Sequence, residues 1–494
     1  MNKHNLRPIM FVGTGSDVGK SIINAGFCRI FKQDGYSPAP YKAQNMSLNS
    51  FAGTDGLELG RAQAVQAEAC GIEPCSEMNP ILLKPTSNQN AQVVLNGKPI
   101  GNQSAKEYFL GTDRDALFAE AMKAYYKLDS QYNPMVIEGA GSISEINLRE
   151  KDIVNMRVAL EVNAAVILIA DIDRGGVFGS VYGTLELLPP EERALVKGIL
   201  INKFRGDIDL FTEGRKMMEQ ITGVPVVGVV PYFRDIHVDD EDSVVIDHKS
   251  GKTKDGLVNV AVVLLRHMSN FTDFNVLERV PEINLFYTAN PDEIEKADVV
   301  VIPGSKNTID DLENLRRLGL AKAILNSYQK GNAVYGICGG YQMMGREIHD
   351  LEQVEGTVTY MPGLGLLPVV SILSAEKRTV QSTFTFRNET ENCQGYEIHM
   401  GKTELLGGSP FATLSDGSAD GCFLNEKTWG TYLHGVFDNL PVIRSILKGC
   451  GKETQFQEFN HQEYKNEQYN KLAAHIRECC DLDYVYRVLG GDVQ

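Results

Sequence analysis

The first half of the chain alternates short, almost uninterrupted apolar runs with longer polar or amphipathic stretches. The runs are Ile9–Val12, Met135–Ile137, Val166–Ala170, Gly198–Ile201 and Val226–Val230. Each has the length of a strand and lacks a polar side, as strands do when a mainly parallel sheet is covered on both faces. Between them the pattern predicts helices over Lys20–Gln33, Asp115–Lys127 and Leu210–Gln220. Residues 231–257, beginning PYFRDIHVDDEDSVVIDHKSGKTKDG, break the rhythm. They are charged, with few long apolar runs, and suit a linker or edge hairpin. A second alternating series follows, with Val258–Leu265, Val299–Ile302 and Ala333–Tyr335. After Gly363 the pattern turns to short β-like pieces with many turns, ending near Trp429–His434, and a helical tail closes the chain. No internal repeat or low-complexity segment is present. The expected organisation is two α/β domains, 1–230 and 258–445, with a tail over 446–494.

A length of 494 residues agrees with two domains, because one hydrophobic core rarely organises so much chain. The net charge of −16 speaks against a nucleic-acid or anionic-membrane partner, since those need basic patches. The apolar run Ala164–Ala170 is far below membrane-spanning length. Nine cysteines without a CxxC pair or zinc-site spacing fit a reducing compartment. A soluble, cytoplasmic protein is expected, with no nucleic-acid or membrane partner. Its oligomeric state is not legible.

Ligands bind a buried parallel sheet at the carboxyl ends of its strands. Four strand ends here carry chemistry: GTGSDVGKS (13–21), EGAG (138–141), DIDRGG (171–176) and NKFRGD (202–207). The first resembles a phosphate-binding loop but holds five residues between Gly13 and Gly19, one more than the common pattern. Gly13, Thr14, Gly15, Asp17, Val18 and Gly19 would shape it. Backbone N–H groups of Gly15–Ser21 would cradle phosphates at a helix N-terminus. Lys20 would offset phosphate charge, and the Ser21 hydroxyl would bind Mg²⁺ with Glu138 as partner. Asn202 is placed to hydrogen-bond a purine edge.

A second site is written in NAVYGICGGYQMMG (332–345). Glycines two residues either side of Cys338 permit a strained strand-to-helix elbow that exposes the side chain. The helix N-terminus favours the thiolate. The Gly339 N–H and the Gly304 N–H, in PGS (303–305), would form an oxyanion hole. A cysteine nucleophile needs a base. His434, in GTYLHGVF, is the first candidate and His399, in GYEIHMG, the rival.

The loop GTGSDVGKS and the segment VIEGAG resemble dethiobiotin synthetase and its relatives, which use ATP to phosphorylate a carboxyl or carbamate group. That resemblance implies an ATP site and adds Asp55 as a further Mg²⁺ partner beside Ser21 and Glu138. GICGGYQ resembles the nucleophile elbow of class I glutamine amidotransferases, with Gln342 in the position that helps bind glutamine. Those enzymes usually carry Glu two residues after the His; Val436 stands there instead. The order of the two sites and the missing Glu resemble the cobalamin-pathway amidotransferases over essentially the whole chain. YKAQNMSLNS (41–50), LELGRAQAVQA (57–67), NPILLKPTSNQNAQVVLNGKPIG (79–101), DIDRGGVFGSVYGTLELL (171–188), PGSKNTIDDL (303–312) and GYEIHMGKT (395–403) carry that likeness.

The likeness implies a P-loop parallel-sheet ATPase domain followed by a class I glutamine amidotransferase-like α/β domain. It implies a substrate, adenosylcobyrinic acid a,c-diamide, amidated at its b, d, e and g carboxylates with ATP, Mg²⁺ and glutamine or ammonia. Cys338 and His434 would be catalytic, and Lys42 would join Lys20 in stabilising phosphoryl charge. Two other readings stand beside it. One is the sister enzyme, cobyrinic acid a,c-diamide synthase. The other is a P-loop switch ATPase with a degenerate amidotransferase domain, against which the intact elbow at Cys338 argues.

Overall fold

The structure is a computed structural model. It describes residues 5–86, 90–104, 106–111, 113–233, 235–239, 251–387, 389–452 and 461–492. The apolar runs of the first half become strands β1 (Ile9–Gly13), β2 (Ala39–Tyr41), β3 (Met135–Glu138), β4 (Ala165–Asp171), β5 (Val196–Phe204) and β6 (Val226–Pro231). They form one sheet in the order β6-β5-β4-β1-β3-β2. Every pairing in it is parallel. All five residues of β1 are buried, which is why that run shows no polar alternation. Helix α1 (Lys20–Gln33) begins directly after the glycine loop. Its residues Ile23, Phe27, Ile30 and Phe31 recur at helical spacing and are buried.

Between β2 and β3 the chain builds a second layer that the hydrophobic pattern did not announce. Gln44–Met46, Ile81–Pro85, Asn90–Leu95 and Lys98–Ser104 form a four-stranded sheet, and Ser50–Ala52 pairs with Glu58–Gly60 as a hairpin. Helix α2 (Arg61–Cys70) leaves that hairpin and lies along α1.

The second domain contains β7 (Val258–Val263), β8 (Ile283–Thr288), β9 (Val299–Ile302), β10 (Ala333–Ile337), β11 (Cys422–Asn425) and β12 (Thr428–Thr431), ordered β8-β7-β9-β10-β12-β11. Only β11 runs antiparallel to its neighbour. Helices α3 (Thr308–Arg317) and α4 (Gly339–Met344) follow β9 and β10. A long antiparallel hairpin, Val369–Phe386 with Asn392–Leu405, covers this end of the sheet and pairs with Leu433–His434.

Two boundaries differ from the sequence reading. Among 231–257, residues 234 and 240–250 lie outside the described residues. The described part is no free linker, since Asp239 returns to the first domain and pairs with Arg61 at 2.6 Å. The tail is not a separate unit either. Its helices α5 (His461–Cys479) and α6 (Leu482–Gly490) place Leu472, Ile476, Val485 and Val488 in one core with Phe11, Phe27 and Phe31 of the first domain. Both ends of the chain therefore build that domain. Among the described residues, no helix is long and apolar enough to cross a membrane.

Candidate active sites

The loop after β1 stands at the carboxyl edge of the parallel sheet, where β3 and β4 flank β1. Glycine is required twice. At Gly19, the residue before α1, φ is +95°, and at Gly13 a Cβ would sit 2.7 Å from the Gly15 carbonyl. The extra residue of the loop is accommodated with Asp17 also at positive φ, 56°. Lys20 Nζ donates to the carbonyls of Gly15 and Gly141, each at 2.9 Å. Its ammonium is thus held over the loop rather than extended into solvent. Lys203 braces the loop from β5, reaching the Asp17 carbonyl and pairing with Asp171 at 3.0 Å.

Glu138, at the end of β3 and fully buried, is a hub. It accepts from the Ser21 hydroxyl at 2.8 Å, from Lys42 Nζ at 2.8 Å and from Gln66 Nε2 at 2.5 Å. A hydroxyl and a carboxylate 2.8 Å apart are the oxygen donors that a hard divalent cation takes, so Ser21 and Glu138 fit Mg²⁺. Asp55 is not brought to them. Its carboxylate caps its own hairpin, accepting from Leu57 N at 3.0 Å and from Ser76 Oγ at 3.2 Å. An acid two residues before a free N–H closes that local turn in preference to reaching a distant ion. Asn202 Nδ2 donates to the Val18 carbonyl at 2.8 Å, which makes the residue a buttress of the loop as well as part of its wall.

Loop, Lys42, Glu138 and Asn202 line one cavity of about 1380 Å³. A single small molecule usually takes a pocket of roughly 300–1,000 Å³, so this one has room for a nucleotide and a second, large ligand. Its walls carry Arg114, Arg149, Lys151, Arg157, Arg174 and Arg205, interleaved with Asp17, Glu145, Asp152, Asp171, Asp173 and Glu192. Several of these cations are paired with an acid of the same lining, Arg149 with Glu192, Arg174 with Asp17 and Arg205 with Asp173, so the wall is polar and of mixed sign.

The second site lies at the carboxyl end of β10. Cys338 takes φ 50° and ψ −108°, a strained conformation for a residue with a side chain, costing about 1–3 kcal/mol. The flanking glycines make it possible. At Gly336 a Cβ would lie 2.7 Å from Tyr341 N, and at Gly339 it would lie 2.8 Å from Ser305 N. Gly304 closes the site from β9's end, where a Cβ would crowd Ser269 Oγ at 2.9 Å and touch the His434 ring at 3.5 Å.

Of the two histidines, the structure brings His434 to the cysteine. His399 Nδ1 lies 3.2 Å from the Gly401 carbonyl and its Nε2 3.2 Å from Glu397, and its ring stacks on Tyr432 at 3.8 Å. His434 Nδ1 lies 2.6 Å from Asp273 Oδ2. Burial works against a charged imidazole there. The Asp273 carboxylate, and then Cys338, outweigh it and hold the His434 pKa up at about 10. Tyr396 stacks on the ring at 5.2 Å and fixes its plane. His434 and Asp273 are 1% and 5% exposed.

The sequence reading missed Asp273. It supplies the carboxylate that the Val436 position lacks, from a short helical segment, Phe271–Arg279, far away in the chain. Its only sequence signal is an acid set in an aromatic stretch, NFTDFN (270–275). Gln342 lies one turn after Cys338, with Oε1 accepting from Thr308 Oγ1 at 3.0 Å and Nε2 donating to Tyr432 OH at 3.1 Å.

The two domains meet beside this site. Glu58 of the first domain's hairpin accepts from Lys84 at 2.6 Å and from Lys377 of the second domain. Burial would raise the Glu58 pKa, but the two ammoniums overcome it and hold the carboxyl well below the usual range. Asn49 Oδ1 accepts from Phe271 N at 3.2 Å, Ser50 N donates to Asn270 Oδ1 at 3.1 Å, and Phe51 packs on Tyr396.

Fold and sites together define a class: a two-domain glutamine amidotransferase whose first domain binds a nucleotide. Residues 9–243 match the family model of the CobQ/CobB/MinD/ParA nucleotide binding domain, and residues 259–442 that of the CobB/CobQ-like glutamine amidotransferase domain. The chain is 58% identical over 490 residues to a protein of Parabacteroides distasonis named cobyric acid synthase, covering 98% of this chain and 99% of the relative. A protein of the same name from Bacteroides fragilis is 57% identical, covering 99% of each. One from Syntrophobacter fumaroxidans is 44% identical, covering 98% and 99%. The chain belongs to the cobyric acid synthase family.

Proposed function

We propose that the protein is an ATP- and glutamine-dependent amide ligase that amidates the b, d, e and g carboxylates of adenosylcobyrinic acid a,c-diamide. The observation that carries this reading is the pairing, in one chain, of a cysteine–histidine–aspartate site with a phosphate-loop cavity large enough for a nucleotide and a second ligand.

A carboxylate cannot expel oxide, so it is first made an acyl phosphate. The substrate carboxylate oxygen attacks the γ-phosphorus of ATP and ADP leaves. Lys20 and Lys42 offset the charge on the moving phosphoryl group, and the loop N–H groups hold it in line. Ser21 and Glu138 would hold Mg²⁺, which supplies further charge neutralisation when bound. Asn202 keeps the loop in its phosphate-binding shape through the Val18 carbonyl, and its carboxamide oxygen would serve a purine edge.

In the second site the Cys338 thiolate attacks the glutamine amide carbon. The oxyanion is stabilised by the N–H groups of Gly304 and Gly339. His434, kept protonated by Asp273, gives its proton to the departing ammonia. Neutral His434 then takes a proton from water, which hydrolyses the thioester to glutamate. The released ammonia attacks the acyl phosphate, phosphate leaves, and the amide remains. Gln342 helps hold the glutamine.

The test is incubation with adenosylcobyrinic acid a,c-diamide, ATP and Mg²⁺, with glutamine or ammonium, followed by mass spectrometry. Stepwise amidation is expected with either nitrogen source. Cys338→Ala should work only with ammonium, and Lys20→Ala with neither. Amidation of cobyrinic acid alone would assign the protein to the sister reaction, and nucleotide hydrolysis with no corrinoid product would sink the ligase reading.

A further inference from the structure

Cys338 and Gln342 account for the amide end of glutamine, yet the other end is a zwitterion that also has to be recognised. The structure places two charged side chains on the side of the elbow where that end would lie. Thr308, the first residue of α3, joins them to the site. A Cβ at Gly339 would be 3.2 Å from Thr308 Oγ1, the same hydroxyl donates to Gln342 Oε1 at 3.0 Å, and it also meets Glu355 Oε1 at 3.2 Å. The second Glu355 oxygen accepts from Ile309 N at 3.3 Å. The carboxylate is therefore fixed by the α3 N-terminus within two contacts of the nucleophile elbow.

Lys306 approaches from the other direction. It follows the Gly304–Ser305 strand directly, and its backbone N–H is fixed on the His267 carbonyl at 2.9 Å. Among the described residues, its ammonium makes no hydrogen bond or ion pair. The charged groups that face it are Lys377, Lys84, Glu355 and Glu58. Lys84 and Lys377 are already committed to Glu58, so Lys306 is the cation left over. Burial pushes the Lys306 ammonium down, and the two other lysines add to that; burial pushes Glu355 up. A bound zwitterion opposes both shifts by giving each group an opposite charge.

From the amide carbon to the α-carbon, glutamine spans three C–C bonds, roughly 4 Å when extended, given ~1.5 Å per bond. The two contacts of 3.2 Å that lead from the elbow through Thr308 to Glu355 are on that scale. We propose that Lys306 and Glu355 form the clamp for the amino-acid head of glutamine, Lys306 taking the α-carboxylate and Glu355 the α-ammonium. The clamp rests on the glutaminase reading and adds to it the element that selects glutamine over a simple carboxamide.

Two alkylating probes test it on the full chain. 6-Diazo-5-oxo-L-norleucine carries both head charges, and its diazo-bearing carbon bonds to sulfur with loss of N₂. Iodoacetamide has no head, and sulfur displaces iodide. The rate of Cys338 labelling by each is measured by mass spectrometry in wild type, Lys306→Gln, Glu355→Gln and Lys306→Arg. A hydrogen bond to a charged group contributes about 1.5–3 kcal/mol, so the ratio of the two rates should fall about tenfold or more in each Gln variant. Lys306→Arg, which keeps the charge, should recover most of the ratio. Because iodoacetamide reports the thiol itself, the ratio is read only in variants whose iodoacetamide rate matches wild type, since a misfolded elbow would expose the buried Cys338 and change that rate. A ratio unchanged from wild type in either Gln variant overturns the clamp. Wild-type Cys338 that takes the diazo probe no faster than iodoacetamide overturns the glutaminase reading itself.

Discussion

Asp273→Asn is the substitution that separates an orienting carboxylate from a merely buried one. Asparagine keeps the volume and removes the charge. The pair it breaks is nearly sealed from water, with His434 and Asp273 at 1% and 5% exposure and 2.6 Å apart. Removing one partner of a buried ion pair costs about 3–5 kcal/mol, because the other charge is left without compensation. At about 1.36 kcal/mol per factor of ten, glutamine-driven amidation should fall by roughly two to nearly four orders of magnitude. The amide can also present an N–H to Nδ1, which favours the tautomer unable to serve as base at Nε2. The assay compares amidation driven by glutamine with amidation driven by ammonium, which needs neither Cys338 nor His434. Only the glutamine-driven rate should fall. A variant that hydrolyses glutamine as fast as wild type would refute the argument that Asp273 replaces the carboxylate missing at Val436.

Other consequences can be checked in parallel. His434 is raised from 6.5 to about 10, so its pair with Asp273 stabilises the fold fully below pH 6.5 and loses that contribution as pH rises through about 10. The difference in unfolding free energy between wild type and Asp273→Asn should therefore shrink across that window. Glu58→Gln leaves the Lys84 and Lys377 ammoniums facing each other without their carboxylate. Chemical denaturation should show a loss of about 3–5 kcal/mol, the cost of uncompensated buried charge. Asn49→Ala removes the acceptor for Phe271 N, at the start of the segment that carries Asp273. A hydrogen bond of about 0.5–1.5 kcal/mol predicts a two- to tenfold loss of glutamine-driven turnover with ammonium-driven turnover intact; equal losses in both would count against a link through Asp273.

The parts legible in the sequence are those whose chemistry is local. A glycine loop ending in Gly19-Lys20-Ser21 directly after a buried strand dictates its own conformation, and α1 begins at the expected residue. Gly336 and Gly340 around Cys338 leave little besides an elbow for the backbone to form. Strand β2 is only Ala-Pro-Tyr and too short to show a pattern, and the layer built from Gln44 to Ser104 was not legible because its apolar residues are interleaved with buried Asn, Gln and Lys. Part of that polarity is spent on the backbone: Asn79 Nδ2 donates to the carbonyls of Lys42 and Ile81. Asp55 misled for the opposite reason, since its position follows a motif while its side chain obeys its own turn. Asp273 stands 161 residues from His434, and no spacing rule links them. The tail is amphipathic, but amphipathicity does not say which core it joins, and Ile476 chose the one under Gly26.

Where the histidine's carboxylate comes from has a consequence for coupling. At Val436 a side chain is fully buried in the apolar core with Phe274 and Phe437, so a glutamate there would lack a place to keep its charge. The carboxylate arrives instead on Phe271–Arg279, a segment held at its start and its middle by side chains of the first domain. Asn49 and Ser50 fix Phe271 and Asn270, and Asp239, which lines the large cavity and is paired with Arg61, accepts from Asn275 at 3.0 Å. Phe51 backs Tyr396, which in turn backs the His434 ring. The acid that keeps His434 protonated is thus anchored by the walls of the nucleotide domain as well as by its own domain, where Phe274 and Leu277 are buried and Gly435 N donates to Asp273 Oδ1 at 3.2 Å. A displacement of those walls moves Asp273 relative to His434, and a 2.6 Å charge-assisted bond weakens steeply with length and angle. The alignment of His434 therefore depends in part on Asn49, Ser50 and Asp239, which is why Asn49→Ala is expected to slow glutamine-driven turnover and spare the ammonium-driven reaction.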